Sequence, residues 1–260
     1  MSTAICFVAR TGIVLGTDSR VTTTFPEGTT REDAYPKLVQ YGDRPVALAM
    51  VGAGFYGGRN FRALLAETWE SQTAENQHQT VEEVARAFAD VAGTIARDSG
   101  AKTGMNVLVA GYSSDHPFGE LWEVFLPSGK VQLQARDTQT IVWRGQADAI
   151  RTLWWGADLH SLNHALEAAD VDKAKAKSIV ADIKKRAAWG PQRTNWGMPL
   201  SSAVELVRFQ LNVQIEAERF RPGRGACGAP TQILAINSGG LRWFDRPFAD
   251  FLSAVGPSAA

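Results

Sequence analysis

Residues 1–22 read MSTAICFVARTGIVLGTDSRVT, which puts a serine and a threonine directly behind the initiator methionine. A serine hydroxyl is a weak nucleophile at neutral pH and needs a base. A free α-amino group, with a pKa near ~7.7–8.0, is partly neutral at that pH and reaches its own residue's hydroxyl directly or through one water. Removal of Met1 is expected, because methionine aminopeptidase accepts small second residues. Ser2 would then be both nucleophile and base, the variant of the catalytic triad that uses an N-terminal amine. Other candidate chemistry is thin. The four histidines (His78, His116, His160, His164) include one i, i+4 pair, His160 and His164; without a third ligand, no metal site is expected. Cys6 and Cys227 are too few for a disulfide framework and suit a reducing compartment. Cys227, set among glycines, reads as a buried structural thiol. No glycine motif follows a strand as a phosphate loop does, and no cofactor is expected.

The elements that must carry residue 2 start at once. Residues 3–9 and 13–18 are short, apolar on both faces and separated by a Gly-containing turn, the pattern of a hairpin covered on both sides. Residues 25–34 form a polar loop. A second hairpin spans 37–54 and turns at Gly42-Asp43-Arg44-Pro45. Helical stretches follow at 57–72 and 80–98, the latter opened by a Thr80/Glu83 capping box. Strands return at 105–112, 118–126 and 130–135, then helical patterns at 146–155, 160–168 and 172–187. Residues 190–199 are linker-like. An amphipathic helix fills 200–220, with Val204, Val207, Leu211 and Ile215 at helical spacing. The stretch 221–230 breaks it, and 231–244 closes the chain as a last hairpin. Segregated hairpins and helix pairs point to a layered α+β fold. One domain is expected over 1–250, with a short tail at 251–260.

Lys plus Arg equals Asp plus Glu at 27 each, so no net field favours nucleic acid or an acidic membrane. No secretory leader and no apolar run near the roughly 18 residues of a membrane span are present. A cytoplasmic protein is expected.

Several stretches together resemble the proteasome β-subunit family, a branch of the N-terminal nucleophile hydrolases, bacterial proteasome-type proteases included. They are GIVLGTDSRVT (12–22), Lys37 opening a strand, LAMVGAG (48–54), MNVLVAGY (105–112), PSGK (127–130) and GACGAPTQILAI (225–236). The likeness extends to about residue 245, and its specific part is the first 55 residues. It implies a four-layer αββα sandwich, two sheets between helix pairs. It implies that the nucleophile lies sixteen positions before the strand aspartate, which from Asp18 is Ser2. Choosing Thr3 would need a one-residue slip that reverses the strand's faces. By the same resemblance Lys37 lowers the amine's pKa and Asp18 holds Lys37. Gly52 supplies an oxyanion-hole N–H, Thr22 bonds an extended peptide, and Met50 lines the specificity pocket.

Read singly, Asp18 is a strand-end turn residue, Lys37 a solvated edge lysine and Gly52 a helix-entry glycine. At the family's spacing they describe a site. Three positions depart from the pattern. Arg144 stands about where the family carries a supporting serine, Arg224 near its aspartate and Cys227 near its second serine. The implied protein is a peptidase acting on peptide or protein substrates, assembled as a homo-oligomeric ring, without metal, cofactor, nucleic acid or membrane. A non-catalytic structural subunit of such a ring and a small-amide hydrolase remain as alternatives.

Overall fold

The opening residues form strands because their side chains are β-branched or apolar and find cover on both faces. A computed structural model of the protein describes residues 2–25, 28–72, 77–187, 194, 196–221 and 225–246. Met1, Arg224 and the 251–260 tail lie outside them, as does half of the linker-like 190–199 stretch. The chain begins with β1 (Thr3–Ala9), β2 (Gly12–Thr17), β3 (Val21–Phe25), β4 (Gly28–Glu32), β5 (Leu38–Gln40) and β6 (Val46–Gly52). Short β7 (Phe55–Tyr56) and β8 (Arg59–Asn60) lead to α1 (Phe61–Glu70) and α2 (Val81–Ser99). Then come β9 (Met105–Tyr112), β10 (Gly119–Leu126), β11 (Lys130–Ala135) and β12 (Thr140–Gly145). Helices α3 (Asp148–Trp155), α4 (Leu159–Ala168), α5 (Lys173–Arg186) and α6 (Leu200–Phe220) precede β13 (Gln232–Asn237) and β14 (Gly240–Asp245).

The fold is mixed α+β with several antiparallel sheets. One five-stranded sheet has the order β12-β1-β2-β13-β14 and the other β11-β10-β9-β6-β5. Every ladder in both is antiparallel. Their facing sides share one apolar cluster, to which Ala4, Cys6 and Leu15 contribute from the first sheet and Ala49, Leu108 and Leu121 from the second. The opposite face of the second sheet is covered by α1 and α2, where Phe61 meets Phe88 edge-on at 6.0 Å. On the first sheet α6 packs against β2: a Cβ at Gly16 would lie 2.5 Å from Val207 Cγ1 and 2.9 Å from Leu211 Cδ1. Gly16→Ala is therefore expected to destabilise the fold by about 1–3 kcal/mol through overpacking, read as a lower urea midpoint at unchanged slope.

The chain divides into two compact units, Met1–Gln146 with Gly197–Ala260, and Ala147–Trp196. In the second unit α3 ends at Gly156 in the left-handed region (φ +70), and Asp172 caps α5 by accepting the N–H groups of Ala174 and Lys175.

Local signals explain where elements differ from the sequence reading. The Thr80/Glu83 capping box is present. Helix α1 starts at Phe61 rather than 57, because Gly57 and Gly58 take positive φ and Asn60 is the residue whose side chain caps Ala63 N–H. The 25–34 stretch is not a plain loop; threonines of β3 and β4 pair as a hairpin from Val21 to Glu32. Strand β12, absent from the sequence reading, pairs with β1.

Candidate active site

Strand β2 ends at Thr17, and the next residue turns its carboxylate inward. Asp18 and Lys37 are both fully buried, with Lys37 Nζ 2.9 Å from Asp18 Oδ1. The same oxygen accepts the Thr3 N–H at 2.9 Å. The other oxygen accepts the N–H groups of Arg20 and Gly228, each at 3.1 Å. Four donors replace the water a carboxylate would otherwise hold, which is what a buried charge requires. Lys37 Nζ also donates to the Arg20 carbonyl. Burial pushes the Lys37 ammonium below the usual lysine range, opposed by the Asp18 charge beside it. Met50 N–H donates to Lys37 C=O at 2.9 Å, fixing the lysine's backbone to β6.

The chain start is held just as tightly. The Ser2 carbonyl accepts Gln146 N–H at 2.8 Å, and Asp18 N–H donates to Thr3 C=O at 3.2 Å. Gly145 (φ +72) makes the close approach possible. A Cβ there would lie 1.8 Å from the Ser2 oxygen on one side and 3.4 Å from Val51 Cβ on the other. The ends of β1, β12 and β6 thus converge at one glycine, and the last residue of β6 is Gly52.

Strand alternation sets which hydroxyl faces which way. Ala4, Cys6 and Val8 lie in the inter-sheet cluster, and Ser2 shares their parity. Thr3 has the opposite parity. Its Oγ1 donates to Gln146 C=O and lies 2.9 Å from Cys227 Sγ. Among the described residues the Ser2 hydroxyl makes no hydrogen bond, while the residue as a whole is only 2% exposed.

Gly52 has φ +103, and a Cβ on it would strike Gly104 C=O at 2.5 Å, so the turn needs glycine. Thr22 lies half-buried on β3 opposite Arg31. The Met50 side chain is fully buried in the core beneath α1 and α2, on the face of β6 opposite Val51. The structure therefore gathers Ser2, Asp18 and Lys37, sets Gly52 next to Val51, and joins Met50 to Lys37 through the backbone. No hydrogen bond links the Thr22 side chain to these groups among the described residues.

Several groups here have no signal in local sequence. Gly228 gives an N–H to Asp18 and packs against Arg20, whose guanidinium would be 2.5 Å from a Cβ at that glycine. Arg20 also donates to the Cys227 carbonyl at 3.2 Å and pairs with Asp33. The Cys227 thiol is pushed up to about 12 by burial and by the Asp18 charge, so it stays neutral and serves as a neighbour of Thr3 rather than a base. Arg144, on β12, forks onto buried Glu123 of β10 with both contacts at 2.6 Å, bridging the two sheets. Gln232 is fully buried at the start of β13. A glutamine opening an apolar strand, TQILAI, is the one readable hint of it.

No protein-family model matches the chain, and no curated protein does. Solved structures of the same fold do. An Anbu (Gly-1) mutant from Hyphomicrobium sp. strain MC1 aligns with a TM-score of 0.60 at 14% identity, over 94% of this chain and 85% of that one. Anbu, described as an ancestral beta-subunit, from Yersinia bercovieri gives 0.59 at 11% identity, over 93% and 86%. The helical assembly of the Anbu complex from Pseudomonas aeruginosa gives 0.57 at 16% identity, over 96% and 89%. The fold is thus of the proteasome-like class. Within it the similar structures are Anbu proteins, a distinct family, and this corrects the resemblance to the proteasome β-subunit family drawn from the sequence.

Proposed function

We propose that this chain is an N-terminal nucleophile hydrolase that cleaves peptide bonds, with Ser2 as the attacking residue once Met1 is removed. The observation that carries the reading is the shared oxygen of Asp18. It binds Lys37 Nζ and the N–H of Thr3, the peptide next to Ser2, so an ammonium and the chain start meet on one carboxylate.

In this reading the Ser2 amine takes the hydroxyl proton as Oγ attacks the substrate carbonyl. Lys37, charged and held by Asp18, favours the neutral amine and steadies the alkoxide. The oxyanion is met by the backbone N–H of Gly52. Collapse breaks the C–N bond, and the amine's proton passes to the leaving nitrogen. Water then attacks the ester on Oγ by the same route and frees the acid. Thr22 takes the role of bonding an extended peptide and Met50 that of lining the specificity pocket. The covered outer faces of the two sheets support a four-layer αββα arrangement. Homo-oligomeric assembly is proposed from the helical assembly of the Pseudomonas aeruginosa Anbu complex. Two buried free thiols, Cys6 and Cys227, support a cytoplasmic location.

Intact-mass measurement of the protein before and after a peptide β-lactone tests the reading. Loss of Met1 and a single adduct on Ser2 are expected. Retained Met1 with no adduct favours the non-catalytic subunit. Turnover of small acyl amides but not peptides would favour the small-amide hydrolase.

A further inference from the structure

Strand β13 pairs with β2 so that Gln232 lies opposite Thr17, the residue before Asp18. The Gln232 side chain is fully buried and uses its whole amide. Oε1 accepts the backbone N–H groups of Lys37 and Leu38, each at 3.2 Å. Nε2 donates to Ser19 Oγ and to Tyr35 C=O, both at 2.9 Å. Its orientation is unambiguous, because two N–H donors face the oxygen and a carbonyl faces the nitrogen. Ser19 in turn donates from Oγ to Pro230 C=O at 2.6 Å, and its N–H donates to Gly228 C=O at 3.0 Å. One neutral side chain therefore touches the residue after Asp18 on one side and the backbone of Lys37 on the other.

That placement is specific. Lys37 belongs to the segment opening β5 in the second sheet, and Asp18 follows β2 in the first. The Lys37–Asp18 contact crosses between sheets, and its length depends on how 35–38 sits against 18–19. One backbone hydrogen bond, from Tyr35 N–H to Ser19 C=O at 3.1 Å, joins those segments directly. The Gln232 amide adds a side-chain bridge between Ser19 and the N–H groups of Lys37 and Leu38. Only Gln supplies this set at this length: Asn is too short, Glu has no donors, and Met has neither donors nor acceptor oxygen. We infer that Gln232 is a positioning residue, setting the Lys37 ammonium against the Asp18 carboxylate and hence against the amine and hydroxyl of Ser2. The inference rests on the Ser2 reading above. Misplacement of a catalytic group by about 1 Å is enough to cost ~10²-fold in rate.

The test measures β-lactone labelling of Ser2 in the full-length protein, separating the saturating rate from the half-saturating concentration. Gln232→Met keeps the volume and removes all four hydrogen bonds. Its saturating rate is expected to fall about 10- to 100-fold at unchanged half-saturation. Gln232→Glu restores the acceptor for Lys37 N–H and Leu38 N–H and is expected to recover part of that loss. Wild-type rates in either folded variant overturn the inference and leave the Ser2 reading standing. A wild-type protein that takes no label overturns both. Should neither variant fold, amide exchange in the wild type decides. Lys37 and Leu38 N–H are expected to exchange as slowly as the β6 ladder, and fast exchange overturns the role assigned to Gln232.

Discussion

Ser2→Ala is expected to lose peptide hydrolysis by at least about 10³-fold and to take no β-lactone label, while folding normally. The side chain contributes only a hydroxyl that makes no hydrogen bond among the described residues, whereas the Ser2 carbonyl holds Gln146 N–H and is untouched. An unfolding free energy from urea titration within ~0.5 kcal/mol of wild type is the companion measurement. In Thr3→Val the adduct is expected to remain on Ser2, because Thr3 Oγ1 points toward Gln146 and Cys227. An adduct mapped to Thr3, or undiminished activity in Ser2→Ala, would sink the assignment.

Breaking the ion pair should strike both activity and stability. Lys37→Met removes the cation and leaves Asp18 buried with three backbone donors, a loss of about 3–5 kcal/mol and a rate lowered by about 10²–10⁴-fold. Asp18→Asn leaves the opposite orphan, a buried ammonium. Burial already lowers the Lys37 pKa, and loss of the carboxylate that opposed it lowers it further. Between that depressed native value and the unfolded value of ~10.4, the unfolded chain binds more protons than the native one. Stability of Asp18→Asn relative to wild type should therefore rise with pH across this window. Urea midpoints at pH 7 and pH 9.5 check the sign. A variant that weakens toward alkaline pH would show that the lysine enters the fold by some other balance.

The parts of this arrangement that were readable from sequence are those with local causes. The first hairpin announced itself by two apolar runs about a glycine turn, and α2 by Thr80 and Glu83. Asp18 and Lys37 were placed together by their positions in a familiar scaffold. Strand β12 was not legible, because TIVWRG forms a strand only against β1, whose residues lie far away in the chain. The β3–β4 pair was hidden for a different reason. Its threonines look like loop until a second polar strand lies beside them. Gly228 and Gln146 act through contacts made across the fold, so nothing near them in sequence marks their part, and Gln232 is hinted at only as a glutamine opening the apolar TQILAI stretch. The likeness to Anbu structures was also beyond reach of the sequence, since at 11–16% identity it lies in the fold.

The four donors on the Asp18 carboxylate come from positions 3, 20, 37 and 228. Strand β1 precedes β13 in chain order, so the donor from Gly228 and the amide of Gln232 join the neighbourhood of Asp18 only after all the intervening segment has been made. On the Ser2 reading proposed above, a growing polypeptide would therefore carry its nucleophile ahead of the groups that position it. In that reading, the pairing of β13 with β2 is what would complete the surroundings of Asp18.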